Sequence, residues 1–529
     1  MNSKKLPQLI FIVIHFCCVL RAQDFITWST PQRISNIYLN SWLPYIAIDG
    51  NGNELCLWRQ LNANSQRAVA ARYDASLGQW QEDATIISKA VSGQGAYEQK
   101  IAMDGQGNAW AIWRQMSGAT KVIQASYFDN SSGWWPIADA LTLTDTTKDA
   151  YCPVISMNSQ GVALGVWTWD AMVQASFANS TNWTASVILS DSSAAQVDCF
   201  INNQGDATVV WQRFSVDHYQ IESSTYSNGS WQPTVIVSTD TNNAYSPKIV
   251  MDDNGNALVV WFECPRGQTD PLTVYASKKS VGSSWQTPQL ISLDIGDAKF
   301  PQVAMNDQGN CMVLWEQYDG SNWYIAGCTG MFAQSDWDPA VQISQAGHDA
   351  FDPQIVINIY GNAVATWMFY DANTIKRIQA ARYDAKSKKW TNSLSQPLLS
   401  DSQHDSQSPK IAYDPKLVIA WQIFEGFNWK IDVIQGVVAQ PIVTSTRQEL
   451  HRFPRSAYIA NCITWNPVAG AVAYAIFAAD NTTLLAQIPA TSKPSFCGAQ
   501  QVPCSSYTYY IYAVNAEGIY SDPAVVTIP

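Results

Sequence analysis

The chain has 529 residues, of which 47% are hydrophobic and only 14% charged, and its net charge is −12. A chain this apolar is globular and not disordered, and it is too long for one compact core of ordinary size. With an acidic balance and no run of Lys and Arg able to follow a phosphate backbone, nucleic acid is excluded as a partner.

From the N-terminus, residues 1–22 read as a secretory signal peptide. Lys4 and Lys5 form a basic start, Leu9 to Leu20 is apolar but short for a membrane span, and Ala22 suits a cleavage point. No later segment is apolar enough to span a membrane, so a secreted, cell-surface or periplasmic location in a bacterium is expected. Removing Cys17 and Cys18 with the signal leaves nine of eleven Cys, an odd number, so at least one has no partner within the chain. Cys56, Cys199, Cys311 and Cys328 fall in predicted strands and read as buried thiols.

The body of the chain repeats one unit. Pro247 to Trp261, PKIVMDDNGNALVVW, has two apolar runs flanking a polar Gly-containing turn, the pattern of a β-hairpin. Copies close at Trp58, Trp113, Trp167, Trp211, Trp261, Trp315, Trp367 and Trp421, spaced by 44 (Trp167 to Trp211) to 55 (Trp58 to Trp113) residues. This is close to the period of propeller blades. A third strand follows each hairpin, as in Val122 to Phe128. A fourth begins at a second Trp: Trp28, Trp80, Trp135 (or Trp134), Trp183, Trp231, Trp285, Trp337 and Trp390. These two series hold 16 of the 23 Trp and read as packing residues between small sheets. The first such run, from Trp28, precedes any hairpin, and the last hairpin has no such run after it. A ring in which Trp28 to Ser35 completes the last unit satisfies both ends and removes two sheet edges. The expected fold is therefore all-β: an eight-bladed, four-stranded β-propeller over 23–440, closed by the N-terminal strand. A second domain follows over 441–529.

Repeats of the form P-x-[IV]-A-M-D-x-x-G-N-A-x-x-V-W resemble a recurrent exported bacterial β-propeller repeat, over about residues 24–436. The resemblance implies the fold and is nearly silent on activity. After Gln440, the strands around Trp465, Ala473 to Phe477 and Tyr509 to Asn515 resemble a fibronectin type III domain, with Trp465 and Tyr509 at its signature positions. Cys497 and Cys504 depart from that family's apolar loop anchor, and a disulfide between them is expected.

The chemistry that the sequence carries is sparse. The Asp-Asp-Asn-Gly-Asn turn at 252–256 has several oxygens, but its leading acid becomes Asn158, Asn202, Asn306 and Asn358 in other copies. A side chain bonding its own turn suits this better than calcium. The turn is also faintly similar to the Asp-box of sialidases, without its Ser. Arg59 and Arg114 follow the motif Trp, but the other copies vary there. His348 and His404 read as exposed loop residues. No metal site and no cofactor are expected. An aromatic recurs just before the hairpin, at Trp42, Tyr97, Tyr151, Tyr245, Phe300 and Phe351. These six are the candidate ligand-binding residues, at the mouth opposite the D-x-x-G-N turns, or else wedges between blades. The reading is an exported, non-enzymatic binding or adhesion protein for a glycan or an extracellular protein, monomeric. The alternatives are a secreted glycan-active enzyme, of glycosidase or sialidase-like type, and a purely structural envelope protein.

Overall fold

The computed structural model describes residues 25–528 apart from 63, 90–93, 134, 136–139, 181, 268–270, 294, 392–396, 454–455, 491–492 and 502–505. The expected signal peptide, residues 1–22, lies outside the described residues. The described residues are all-β, their strands forming ten sheets. The first eight have four or five antiparallel strands each and are consistent with propeller blades. In the first, Ser41–Ile48, Glu54–Asn62, Ser65–Asp74 and Gln79–Trp80 pair in chain order, and Thr85–Ile86 adds to the third strand. In the eighth, Ser406–Tyr413, Leu417–Glu425 and Asn428–Val438 are joined by the N-terminal pieces Ile26–Trp28 and Gln32–Arg33. Their register sets Trp28 opposite Gly436 and Arg33 opposite Asp432. The break between the two pieces contains Pro31, which has no N–H to give to a ladder.

The first strands touch in order around a common space. Ser41–Ile48 contacts Ala96–Met103, and the series runs through Ala150–Met157, Ala194–Ile201, Asn242–Met251, Ala298–Met305 and Ala350–Ile357 to Ser406–Tyr413, which contacts Ser41–Ile48. All eight motif Trp have no exposed surface. Seven of them donate the indole N–H to a buried Gln or Glu, such as Gln115, Glu222, Glu263 or Gln317. A buried indole needs such a partner, which explains the polar residue beside these seven Trp.

The hairpin turns are held by their leading side chain. Asp252 Oδ1 accepts from the N–H groups of Asn254 and Asn256, at 3.0 and 2.8 Å, and Asp49, Asp104, Asn158, Asn202, Asn306 and Asn358 do the same in their own turns. The carboxylates are thus engaged by their own turns. The Asp/Asn alternation has a physical reason. Where the residue is Asn, its amide also donates to the next unit: Asn158 to the Asn202 carbonyl, Asn202 to that of Asp252, and Asn306 to that of Asn358. A carboxylate cannot donate. The turn Gly, at φ from 78° to 88° in seven of the turns, supplies the left-handed conformation that a hairpin of this length needs.

The last two sheets face each other. Val443–Phe453, Ser456–Trp465 and Ser495–Gln501 form one, and Leu484–Pro489, Ala473–Phe477, Tyr507–Val514 and Ala524–Ile528 the other. Ile463, Trp465, Tyr474, Ile476, Tyr509 and Ile511 fill the space between them, together with Phe25 from the other end of the chain. The expected Cys497–Cys504 disulfide is corrected here. Cys497 is bonded to Cys462, its cross-strand neighbour, with Cα atoms 4.1 Å apart. The two strands bring the thiols together although they are 35 residues apart in sequence, whereas Cys504 falls outside the described residues.

These two sheets dock on the seventh and eighth repeat sheets at the turn side. Asp522 accepts from the Asn358 and Asn362 amides and from the Tyr413 hydroxyl, and pairs with Arg382 at 3.0 Å. Arg382 also donates to the Tyr520 carbonyl, and Asp384 accepts from the Tyr520 N–H.

Candidate functional site

The first strand of every repeat sheet breaks register at the same place. In each, the pairing shifts by one residue at an equivalent place, which in five sheets directly follows a predicted aromatic: Trp42/Tyr45, Tyr97/Lys100, Tyr151/Val154, Ala195/Asp198, Tyr245/Lys248, Lys299/Gln302, Phe351/Gln354 and Gln407/Lys410. The residue that forms the bulge has φ between 48° and 57° in all eight: Leu43, Glu98, Cys152, Gln196, Ser246, Phe300, Asp352 and Ser408. None is Gly. A side chain in this left-handed region costs about 1 kcal/mol or more, and eight equivalent instances mark a built feature at one end of the central space.

The predicted aromatics sit beside this ring. Trp42, Tyr97, Tyr151, Tyr245 and Phe351 occupy one equivalent position and are half-buried. Phe300 is one residue further on, at the bulge itself, and is 46% exposed, while Lys299 takes the aromatic's place. In the fourth and eighth sheets Ala195 and Gln407 stand there.

Opposite each of these positions lies the residue after the motif Trp, and several of these residues join neighbouring sheets. The Arg59 guanidinium lies over Trp42 of its own sheet at 5.2 Å and over Tyr97 of the next at 5.7 Å. Arg114 lies 5.3 Å from both Tyr97 and Tyr151. Phe262 contacts Tyr245 and Phe300. Glu316 accepts from the Asp352 N–H at 3.0 Å, and Gln422 from the Leu43 N–H at 2.8 Å. At Arg59, Arg114, Phe262, Glu316 and Gln422 the position that varies in sequence after the Trp thus clips neighbouring sheets together, while Thr168 bonds within its own sheet. Sequence reading saw its variety but not its shared place, because the pairing that aligns it with the aromatics is a tertiary fact.

The bulge residues carry mixed chemistry toward solvent. Leu43 is 40% exposed, and Cys152, Gln196, Phe300 and Asp352 are also exposed. Glu98 accepts from the Cys152 N–H and pairs with Arg114, while Gln196 accepts from both the N–H and the hydroxyl of Ser246. Beneath them, burial raises the Glu316 carboxyl to about 7, against the smaller pulls of the Asp352 N–H and of Lys299, whose ammonium lies 4.0 Å away. At the other end, a cavity of about 730 Å³ is lined by the turns of all eight sheets and by Asp522. Among the described residues no group of three or more His, Cys, Asp or Glu is placed to hold a metal ion.

No family model and no curated protein matches the chain. Solved structures resemble it at low identity. A protein of unknown function from Dyadobacter fermentans is 9% identical, with a TM-score of 0.41, over 78% of this chain and 100% of that one. An ulvan lyase of polysaccharide lyase family 25 is 8% identical, with a TM-score of 0.43, over 64% and 93%. An α-L-arabinofuranosidase from Podospora anserina is 11% identical, with a TM-score of 0.27, over 46% and 91%. At these identities and scores the likeness carries no argument, and the function of this chain is read from its own side chains.

Proposed function

We propose that the chain is a glycan-directed protein whose ligand sits on the mouth ringed by the eight bulge residues. The observation that carries this reading is the ring itself: eight strained, non-Gly positions that turn apolar, amide, carboxylate and hydroxyl groups toward one opening. Flat apolar surface from Leu43 and Phe300 beside amides and carboxylates suits the alternating faces and hydroxyls of a saccharide. The half-buried Trp42, Tyr97, Tyr151, Tyr245 and Phe351 support the mouth in this reading, and the bulge side chains make the contacts. The framework is an eight-bladed propeller over 23–440, closed by the strand from Ile26, with a fibronectin type III-like domain over 441–529. Residues 1–22 direct export to the bacterial surface or beyond, and the mature chain is a monomer. Contact between the first and eighth sheets, and the pairing of Ile26–Trp28 with Asn428–Val438, support the closure.

A second reading, catalysis on the glycan, is favoured by Glu316. A carboxyl raised to about 7 beside the exposed Asp352 has the poise of a general acid next to a carboxylate. One experiment addresses both. Residues 23–529 are screened against a panel of oligosaccharides for binding and for cleavage products. Phe300→Ser with Gln196→Ala is expected to lose binding without loss of fold. Cleavage that Glu316→Gln abolishes makes the protein an enzyme; binding without products makes it a lectin-like platform. Retained binding in the double variant would remove the ligand from this mouth.

A further inference from the structure

Two residues beyond each bulge, the first strand places one side chain per sheet at an equivalent position, opposite the residue before the motif Trp. In sequence it is the second residue of each copy, polar in seven of them and Val154 in the third. Five of the eight are ionisable: Tyr45, Lys100, Asp198, Lys248 and Lys410. They converge. Lys100 is hydrogen-bonded to the Tyr45 hydroxyl, and its Nζ lies 3.8 Å from the Tyr45 ring centroid. Lys410, from the eighth sheet, places its Nζ 5.5 Å from the same ring. Lys248, from the fifth sheet, lies 3.8 Å from Asp198.

The charges do not balance. Three ammonium groups face one close carboxylate, with Asp352 acting on Lys410 from further away. Like charges held together without counter-charge are costly, and an anion placed among them would relieve that cost. The titration behaviour agrees with the geometry. Burial pushes the Tyr45 hydroxyl up, but Lys100, Lys410 and Lys248 together outweigh it and bring it down to about 8. Burial lowers Lys410, and Lys100 and Lys248 lower it further, against the pull of Tyr45 and Asp352. The Lys248 side chain remains 38% exposed and Asp198 20%, so the cluster is open to the central space.

We propose that Tyr45, Lys100, Lys248 and Lys410 form an oxyanion site inside the central space, which takes a carboxylate or sulfate group. Its place about 7 Å below the bulge ring, two residues along a strand, lets a saccharide at the mouth present such a group to it. This last step rests on the glycan reading above; the anion site does not. Lys100 and Lys410 donate to the oxyanion, Tyr45 donates its hydroxyl, and Asp198 keeps Lys248 in place.

The test uses residues 23–529 and three probes: sodium sulfate, a galacturonic acid trimer and maltotriose. Binding is followed by calorimetry, and Tyr45 ionisation by its near-ultraviolet tyrosinate signal, with Tyr45→Phe identifying it. Sulfate is expected to bind and to shift Tyr45 ionisation to higher pH, because it neutralises the lysines that favour the phenolate. Lys100→Met and Lys410→Met are each expected to bind sulfate roughly tenfold more weakly. The acidic trimer is expected to bind at least tenfold more tightly than maltotriose in the parent and equally in the double Met variant. If sulfate neither binds nor moves Tyr45 ionisation, the proposal is overturned. If sulfate behaves as expected but the two trimers bind alike, the anion site stands and its link to the saccharide falls. If neither trimer binds while sulfate does, the glycan reading fails and the anion site survives it.

Discussion

Glu316 carries the clearest consequence at the scale of one residue. Its carboxyl titrates near 7 in the folded protein and near 4.3 in an unfolded chain. Between those values the folded form holds more protons than the unfolded one. Stability therefore falls as pH rises through this window, and the cost of ionisation is complete above about 7. Glu316→Gln keeps an acceptor for the Asp352 N–H and removes the buried charge. The variant should gain stability over the parent at pH 8 relative to pH 5, by up to about 3 kcal/mol, in urea denaturation at the two values. Glu54, fully buried, bonded to Gln435 and likewise raised to about 7, is present in both proteins and cancels. An equal difference at both pH values would mean that Glu316 titrates as an exposed acid.

At the scale of the element, the bulge and the N-terminal strand each make a prediction. Ser408 holds φ at 57°. Ser408→Gly relieves the side-chain clash and adds freedom to the unfolded chain, so it should be neutral to stabilising by about 1 kcal/mol. Ser408→Val, β-branched, should destabilise by about 1–2 kcal/mol. The same denaturation measurement reads both, and a Val variant as stable as the parent would mean that the bulge is not held. The strand from Ile26 has a second use. Phe25, 2% exposed, fills the core between the last two sheets, and its carbonyl accepts from the Ala439 N–H. Phe25→Ala should cost about 3–5 kcal/mol through the cavity it leaves. A fragment of residues 441–529 lacks that ring, so it should melt below the single transition of the intact chain, by calorimetry. A fragment as stable as the intact chain would show that Phe25 contributes nothing there.

At the scale of the whole molecule, one buried ion pair joins the two parts of the chain. Arg382 is 1% exposed in its side chain and Asp522 7%. Removing one partner leaves the other buried without counter-charge, which costs about 3–5 kcal/mol. Asp522→Ala also strips acceptors from Asn358, Asn362 and Tyr413. The expected result is two separate unfolding transitions where the parent shows one, together with faster proteolysis between about residues 439 and 443. A single unchanged transition would mean that the contact is incidental. Lys386, whose Nζ lies 3.6 Å from the Phe477 ring, gives the same interface a second, weaker anchor.

The sequence by itself determined the repeating unit. The apolar runs, the Gly-bearing turn and the two Trp series are local signals, and the antiparallel sheets follow from them. It also determined that the run from Trp28 would add to the last unit, because two incomplete ends have one economical solution. The mouth was only partly legible. The aromatics were visible, but Phe300 lies one residue out: it directly precedes Pro301, whereas one residue separates each of the other five from Pro44, Gln99, Pro153, Pro247 or Pro353. The clips Arg59, Arg114, Glu316 and Gln422 looked like variation because their common partners lie on the neighbouring sheet. The Cys462–Cys497 bond joins residues 35 apart, and the nearer Cys504 was the more natural choice from spacing alone. Tyr45 and its three lysines come from four copies that span most of the repeat region. Only the tertiary fold brings their charges together, and charge converging from distant copies leaves no pattern in any one of them.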